Sequence, residues 1–585
     1  MASVLPRYSE PETTALPLLK RPIPLWALVL CAFVFHGPLL IMQLPANSYD
    51  ANFHMSLASH YAHHWFNPWN EKSFAGWSQT SYPPLTHQWI AIFSHVIGLN
   101  YAYMLVQGII ILLLPIAVYR FAALWTPERE ASYAAFFSIF LGSLCVLVYL
   151  DGQIGTTSST TLFLLALPSF YRYVLEGKPW ELILGVSIAC TAAAAHHATL
   201  IFGMVFFIPP VVWLSLLDFK DRHPDRSILL PIRRIALFSA SAAAGMFLVL
   251  LPYFLILMKH PINEVPIPHT SRVSYLLYPK WGLHYFVVPY GPVILALPYL
   301  LYKCAERRLL PLFLGFYGAF LFGLGGTTPV PRMLLRRAYE VLTFERFALW
   351  ALILALPFVG MLAVRLIDRY GSKAAYLIAA SFIGWASFAV AWNTYLQLRG
   401  DSPDVQPIIN FLNEKGHDQY RYLTLGYGYV MSKITCYTEA SSVDGEYNSA
   451  RTLPELTRYG VAQLSTAKFY GVDGISALSD MLKHAPRYGL RYIFVRETYY
   501  DPLLTFAGWR PIEHLSDGET VVWTTIGIPR ARKIPSPLEP PRWQGILWGI
   551  VPFGSSLVTI LLAIVLREKN CSTWNNSQKA AHPVP

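Results

Sequence analysis

The sequence predicts a polytopic α-helical membrane protein that carries a small α/β domain outside the bilayer. Three observations carry this expectation. Apolar runs of about 20 residues, enough to cross roughly 30 Å of hydrocarbon, recur from Leu25 to Leu396 and again at Ile546–Leu566. Hydrophobic residues make up 54% of the chain and charged residues only 14%, too few charges to solvate a soluble protein of 585 residues. Between the last two apolar runs lies a stretch, 398–540, with ordinary charge density and mixed helical and β-type patterns.

Residues 1–23 are Pro-rich and polar, a cytoplasmic tail that needs no fold of its own. Lys20 and Arg21 precede the first apolar run and no small-residue cleavage site follows it, so the run is expected to be an uncleaved anchor. The transmembrane domain covers 24–397, with a first outer loop at 45–98. Basic connectors at Arg120/Arg129, Arg172/Lys178, Lys220–Arg234, Lys303–Arg308, Arg365–Lys373 and Arg567/Lys569 belong on the cytoplasmic side. That parity holds only if His87–Gly98, entered through Pro83 and Pro84, lies at the interface rather than crossing. The expected count is roughly twelve spans with both termini inside, the final span at 541–567 and a tail at 568–585. A bacterial inner (plasma) membrane is the expected setting. The net charge of +11 is thus spent on topology between spans, and no nucleic-acid partner is expected.

In 398–540, Val405–Glu414 and Ile475–His484 have helical periodicity. Tyr420–Leu425, Leu490–Arg496 and Thr520–Thr525 read as strands, the last behind an Asp517-Gly518 turn. The six cysteines are scattered without metal-type spacing, and no disulfide framework is expected.

The chemistry should gather on the outer face, to which parity assigns Tyr49–Leu85, Asp151–Gly155, His196–His197, Lys259–Phe286, Gly325–Glu345 and 398–540. Asp50 heads the first of these, with Glu71 further along. A carboxylate at the membrane boundary is costly unless solvated, paired or used, but Asp50 could equally cap the helix that follows it. His54 lies one turn on and could face the same cavity. His60 and His64 have the i, i+4 spacing of metal ligands, yet His, Trp and Tyr also belong at membrane interfaces. His196 and His197 end an Ala-rich span. Asp151 reads equally as a second carboxylate or as a turn residue. His269 and Arg272, then Arg332, Arg336 and Arg337, then Glu345-Arg346 supply outer cations against the positive-inside trend, and guanidinium forks suit a lipid phosphate. Arg346 stands where the chain re-enters the bilayer.

The acid-headed first loop, its amphipathic helix and Tyr82-Pro83-Pro84-Leu85 resemble the type C integral-membrane glycosyltransferases, GT-C. Y-D-A-N-F-H from Tyr49, A-H-H-A-T-L-I-F from Ala195, G-G-T-T-P-V-P from Gly325 and F-E-R-F-A-L-W from Phe344 resemble, more narrowly, a group of prokaryotic membrane proteins. Those proteins carry the label "6-pyruvoyl-tetrahydropterin synthase-related", which does not denote pterin chemistry. The resemblance implies a polyprenyl-phosphate sugar donor and a glycan, lipid or protein acceptor. It implies Asp50 as general base, Asp151 as a further carboxylate, and Arg346 on the donor phosphate, with Arg272 or Arg336 beside it. His54, His196, His197 and His269 are expected to line the cavity. The first loop lacks an Asp-x-Asp, so dependence on a divalent metal is left open. The competing expectation is a non-catalytic transporter or flippase, which would place charges along the spans and show internal repeats.

Overall fold

The structure, a computed structural model, describes residues 17–260, 265–266, 269–395, 402–516 and 518–581. Most of the expected N-terminal tail, the head of the 398–540 stretch and Asp517 of the expected turn lie outside these residues.

The chain is a polytopic helical membrane protein. Eight helices are long and apolar enough to cross a bilayer: Leu99–Ala122, Glu128–Asp151, His197–Arg222, Leu229–Val249, Pro279–Lys303, Glu345–Tyr370, Ser372–Thr394 and Arg542–Leu566. Three shorter apolar helices, Leu25–Ile41, Pro179–Ala195 and Leu310–Gly323, accompany them. The expected count of twelve is therefore not reached by length and hydropathy. Ile154–Glu176 has a span's length, but its first turns are Thr- and Ser-rich and buried, Thr156 through Thr161. Such residues let helices approach closely and bond across, so this helix sits inside the bundle rather than against lipid. Glu345–Tyr370 is likewise almost wholly buried and forms the bundle's central post.

The 85–98 segment takes the short form that parity demanded. Pro84 stands at the N-cap and the helix Leu85–Ile97 is only 13 residues, too short to span. Leu85–Gln88, Ile90 and Ala91 are buried while Val96 and Ile97 are exposed.

The first loop begins with the helix Ala51–His64, then a small hairpin, β1 (Trp69–Asn70) antiparallel to β2 (Trp77–Ser78). Residues 402–530 contain a four-stranded sheet of β3 (Arg421–Leu425), β4 (Leu490–Val495), β5 (Arg510–His514) and β6 (Val521–Thr524), in the order β3-β4-β6-β5. β3 and β4 are parallel, and the pairs β4/β6 and β5/β6 are antiparallel. β3, β4 and β6 fall on the three apolar runs singled out from sequence. β5 does not, because all five of its residues are exposed and leave no hydrophobic alternation to read.

The loop and the sheet region share one core: Phe53, Leu57, Phe74 and Trp77 pack with Leu423, Leu453, Leu482 and Trp523. Backbone bonds fasten the seam, from Phe74 N to Asp444 O (3.2 Å), Ala75 N to Ser442 O (2.9 Å) and Ser442 N to Lys72 O (3.0 Å). Phe74 and Ala75 are held there at φ 52° and 55°, a conformation that side-chain-bearing residues keep only when their surroundings impose it. The last helix closes the assembly from the membrane side. Its Trp548 donates to the Tyr61 hydroxyl (2.9 Å), and its Gly549 carbonyl accepts from Trp65 (3.0 Å).

Candidate functional site

Asp50 and Asp151, a hundred residues apart in sequence, are set side by side by the backbone. Tyr49 N donates to Leu150 O (2.8 Å) and Asp50 N donates to Asp151 O (2.9 Å). The approach depends on the residue after Asp151. Gly152 has φ +72°, and a Cβ there would come within 2.4 Å of Ser48 Oγ and 2.8 Å of Ala51 N. Only glycine accepts both the conformation and the contact. Just before it, residues Leu147–Asp151 form one π-helical turn, a local widening that recurs at functional sites and here carries Asp151 to the helix end.

Asp50 occupies the N-cap position of Ala51–His64, yet its side chain makes no capping bond. The carboxylate is left for other work. It borders a cavity of about 380 Å³ together with Tyr49 and Asp151 from the membrane part, His269 and Thr270 from the 259–286 loop, and Tyr429 and Glu446 from the sheet region. Trp281, His284, Trp392 and Asn393 line the same cavity. Burial pushes the Asp50 carboxyl up from 3.8 to about 7, with the Arg346 guanidinium pulling it back and Glu345 adding to the rise.

Arg346 and Arg272 meet through the segment that leads into the central helix. Arg272 Nε donates to Leu342 O (3.0 Å), and its own carbonyl accepts from the Tyr339 hydroxyl (3.0 Å). Ser271 Oγ accepts from Phe344 N (3.1 Å) and pairs with His269 Nδ1 (2.8 Å). The Gly-Gly of the 325–331 motif makes room for this turn, since a Cβ on Gly326 would lie 1.8 Å from Arg272 O. Arg346 donates to Thr343 Oγ1 (3.0 Å) and stands 3.7 Å from Glu345, while its Nε–H is buried without a protein partner. Glu345 in turn accepts from Gln153 Nε2 (2.7 Å) and from the Thr343 hydroxyl. Burial pushes the His269 imidazole down, Glu345 pulls it back up, and Arg272 and Arg346 add to the fall.

Not every expected residue arrives in the cavity wall. Asp50, Asp151 and His269 do; Arg346 and Arg272 stand in the layer beside it. Arg336 is exposed at φ 49° and does not line this cavity. His54, His196 and His197 do not line it either; they belong to a buried ring cluster. His54 Nδ1 and His87 Nε2 share a hydrogen bond (2.9 Å), and the Tyr82 ring packs on His54, His87 and His196. His196 caps the next helix through Thr199, and His197 packs on Tyr253. Burial holds His54 down at about 3 and His87 well below its usual value, so this stack is uncharged. His60 bonds Asn67 O (2.7 Å) and His63 bonds Ser59 O (2.8 Å). Among the described residues no three His, Cys, Asp or Glu side chains are grouped to hold a metal ion. Glu71 faces Lys533 (3.9 Å), outside the cavity wall.

The sequence reading missed Glu446, Tyr429, Trp281, His284, Trp392 and Asn393. Glu446 accepts from Ser432 Oγ (2.6 Å), and burial, with Asp50 close by, pushes its carboxyl well above the usual range despite that bond. The one available signal was the aromatic-rich His-Tyr-Trp composition around 281–285 and 392; Glu446 had none.

No family model matches the chain, and no curated protein matches it in sequence. Solved structures do match. The crystal structure of ArnT from Cupriavidus metallidurans bound to undecaprenyl phosphate superposes with a TM-score of 0.53 at 12% identity, over 88% of this chain and 99% of that one. The Archaeoglobus fulgidus oligosaccharyltransferase in its apo form gives 0.51 at 11% identity, over 83% and 70%. A variant of the arabinofuranosyltransferase AftD from Mycobacteria gives 0.51 at 13% identity, over 86% of this chain and 42% of that larger protein. None of these shows the narrower resemblance to the pterin-labelled proteins. At such identities the likeness is one of fold: this chain shares the fold of these three structures.

Proposed function

We propose that the protein is a glycosyltransferase that moves a sugar from a polyprenyl-phosphate donor to an acceptor hydroxyl at the outer face of the membrane. The observation that carries it is the position of Asp50: an uncommitted carboxylate in a cavity wall, with a raised pKa and a guanidinium beside it. The Asp50 carboxylate takes the proton of the acceptor hydroxyl as its oxygen attacks the anomeric carbon. The bond from that carbon to the donor phosphate breaks, its electron pair leaves with the phosphate, and the configuration inverts. Arg346, whose Nε–H has no protein partner, and Arg272 offset the charge that grows on the leaving phosphate. Asp151 and Glu446 orient the acceptor. Support for the donor class comes from the shared fold and from the lipid phosphate bound to ArnT.

The topology proposed with this chemistry has both termini in the cytoplasm, roughly twelve crossings if Ile154–Glu176 and the shorter apolar helices are counted, and the sheet region outside. The protein is proposed to reside in a bacterial plasma membrane. A transporter is disfavoured because the buried carboxylates of the described spans, Glu181, Asp218 and Glu345, stand at helix ends rather than at mid-membrane.

Transfer from a radiolabelled polyprenyl-phosphate sugar by the purified full chain tests this. Asp50→Asn should lower kcat at least ~100-fold while leaving lipid binding intact. Undiminished transfer removes Asp50 as the base, and solute movement across sealed vesicles without covalent transfer replaces the enzyme reading by the transporter.

A further inference from the structure

The wall of the Asp50 cavity holds a side chain that the protein itself leaves unsatisfied. Asn393 is 1% exposed and borders the cavity, and neither its Oδ1 nor its Nδ2 has a hydrogen-bond partner. A buried carboxamide without partners costs stability and persists in native proteins where something outside the chain pairs with it. Its neighbours are fixed for a flat ligand. Trp392 Nε1 donates to His284 Nδ1 (3.3 Å), and the Trp281 ring meets His284 edge-on with centroids 6.2 Å apart. His284 therefore anchors both indoles, and each stays half-buried at the cavity wall. Among the described residues that wall contains no Lys or Arg. Its chemistry is aromatic faces plus carboxyl, imidazole and carboxamide groups. Around Asn393 that set offers no cation to a phosphate and matches a polyhydroxylated ring, whose C–H face lies on an indole and whose hydroxyls pair with an amide. A cavity of about 380 Å³ is the right order for one sugar ring and its links.

We propose that Trp281, Trp392 and Asn393 form a saccharide subsite, the carboxamide of Asn393 giving and accepting one hydrogen bond each with neighbouring ring hydroxyls. This rests on the glycosyltransferase reading of the cavity and adds to it the place where the sugar is held. The ring can belong to the lipid-linked donor or to the acceptor.

The test measures binding, not turnover, by calorimetry on the full chain in nanodiscs. The probes are undecaprenyl phosphate, undecaprenyl phosphate carrying one hexose or one pentose, and methyl hexosides and pentosides. Asn393→Ala and Trp392→Ala should each weaken at least one sugar-bearing probe about tenfold and leave sugar-free undecaprenyl phosphate unchanged. Weakening of the lipid-linked probe assigns the subsite to the donor; weakening of a methyl glycoside assigns it to the acceptor. Without sugar, Asn393→Ala should keep or raise Tm, because no protein partner is lost. A lowered Tm, wild-type affinity of both variants for every probe, or failure of the wild type to bind any sugar-bearing probe overturns the subsite. The subsite is read from probe binding by the Asn393 and Trp392 variants and the base from turnover by Asp50→Asn, so failure of the base and failure of the subsite are told apart.

Discussion

Asp50 must be ionised to accept a proton, and the cavity works against ionisation. Burial raises its carboxyl to about 7, so below that pH the base is occupied by its own proton. The value of kcat/KM should therefore rise with pH, about tenfold per unit below 7 and levelling above it, and the rise should vanish in the residual activity of Asp50→Asn. An ascending limb near pH 4 in the wild type would mean that Asp50 is not the titrating base. The same shift has a cost in stability with a defined sign. The folded state holds this proton more tightly than the unfolded chain, so Asp50 disfavours the fold increasingly as pH climbs from about 4 to about 7. Burial, with Asp50 adding to it, also pushes the Glu446 carboxyl well above the usual range, against the bond from Ser432.

At the scale of elements, the site is assembled by tight backbone approaches between distant segments. The contact between the first loop and the 147–153 turn is the sharpest of these, and Gly152 permits it. Gly152→Ala adds a methyl within 2.4 Å of Ser48 Oγ and forces a left-handed conformation worth about 1–3 kcal/mol in strain. It should lower Tm by several degrees and kcat by roughly tenfold or more, with little change in expression level; a variant with wild-type kcat would show that the Asp50–Asp151 pairing is dispensable. The turn around Arg272 is built on the same device, with Gly325 and Gly326 lying under it. The His54, His87 and Tyr82 stack supports the helix that Asp50 heads, and its rings act through packing rather than charge.

For the whole molecule, the sheet region completes the wall of the Asp50 cavity. It delivers Tyr429 and Glu446 to the cavity and shares its core with the first loop through Phe74. Phe74 is 1% exposed and lies against Gly445, whose Cβ would come within 2.5 Å of the ring. Phe74→Ala should cost about 3–5 kcal/mol at this seam and open the loop to limited proteolysis near 66–82, before the transmembrane bundle unfolds. Protease resistance equal to the wild type would mean that the seam does not hold the loop.

The sequence by itself determined the membrane class and a helix over His87–Gly98 too short to span, because each rests on local composition, hydropathy or the prolines before it. It marked three of the four strands through their apolar runs and could not mark β5, whose residues are all exposed. It named Asp151, His269, Arg272 and Arg346 as candidates without deciding which would meet. Only the tertiary structure decided that. Pairing of Asp50 with Asp151 depends on two backbone bonds and one positive-φ glycine, and the loss of Arg336, His54, His196 and His197 from the cavity depends on which face each helix buries. Glu446 and Asn393 were invisible for the same reason: a polar residue with no pattern around it looks like any solvated residue until packing closes around it and fixes what it can pair with.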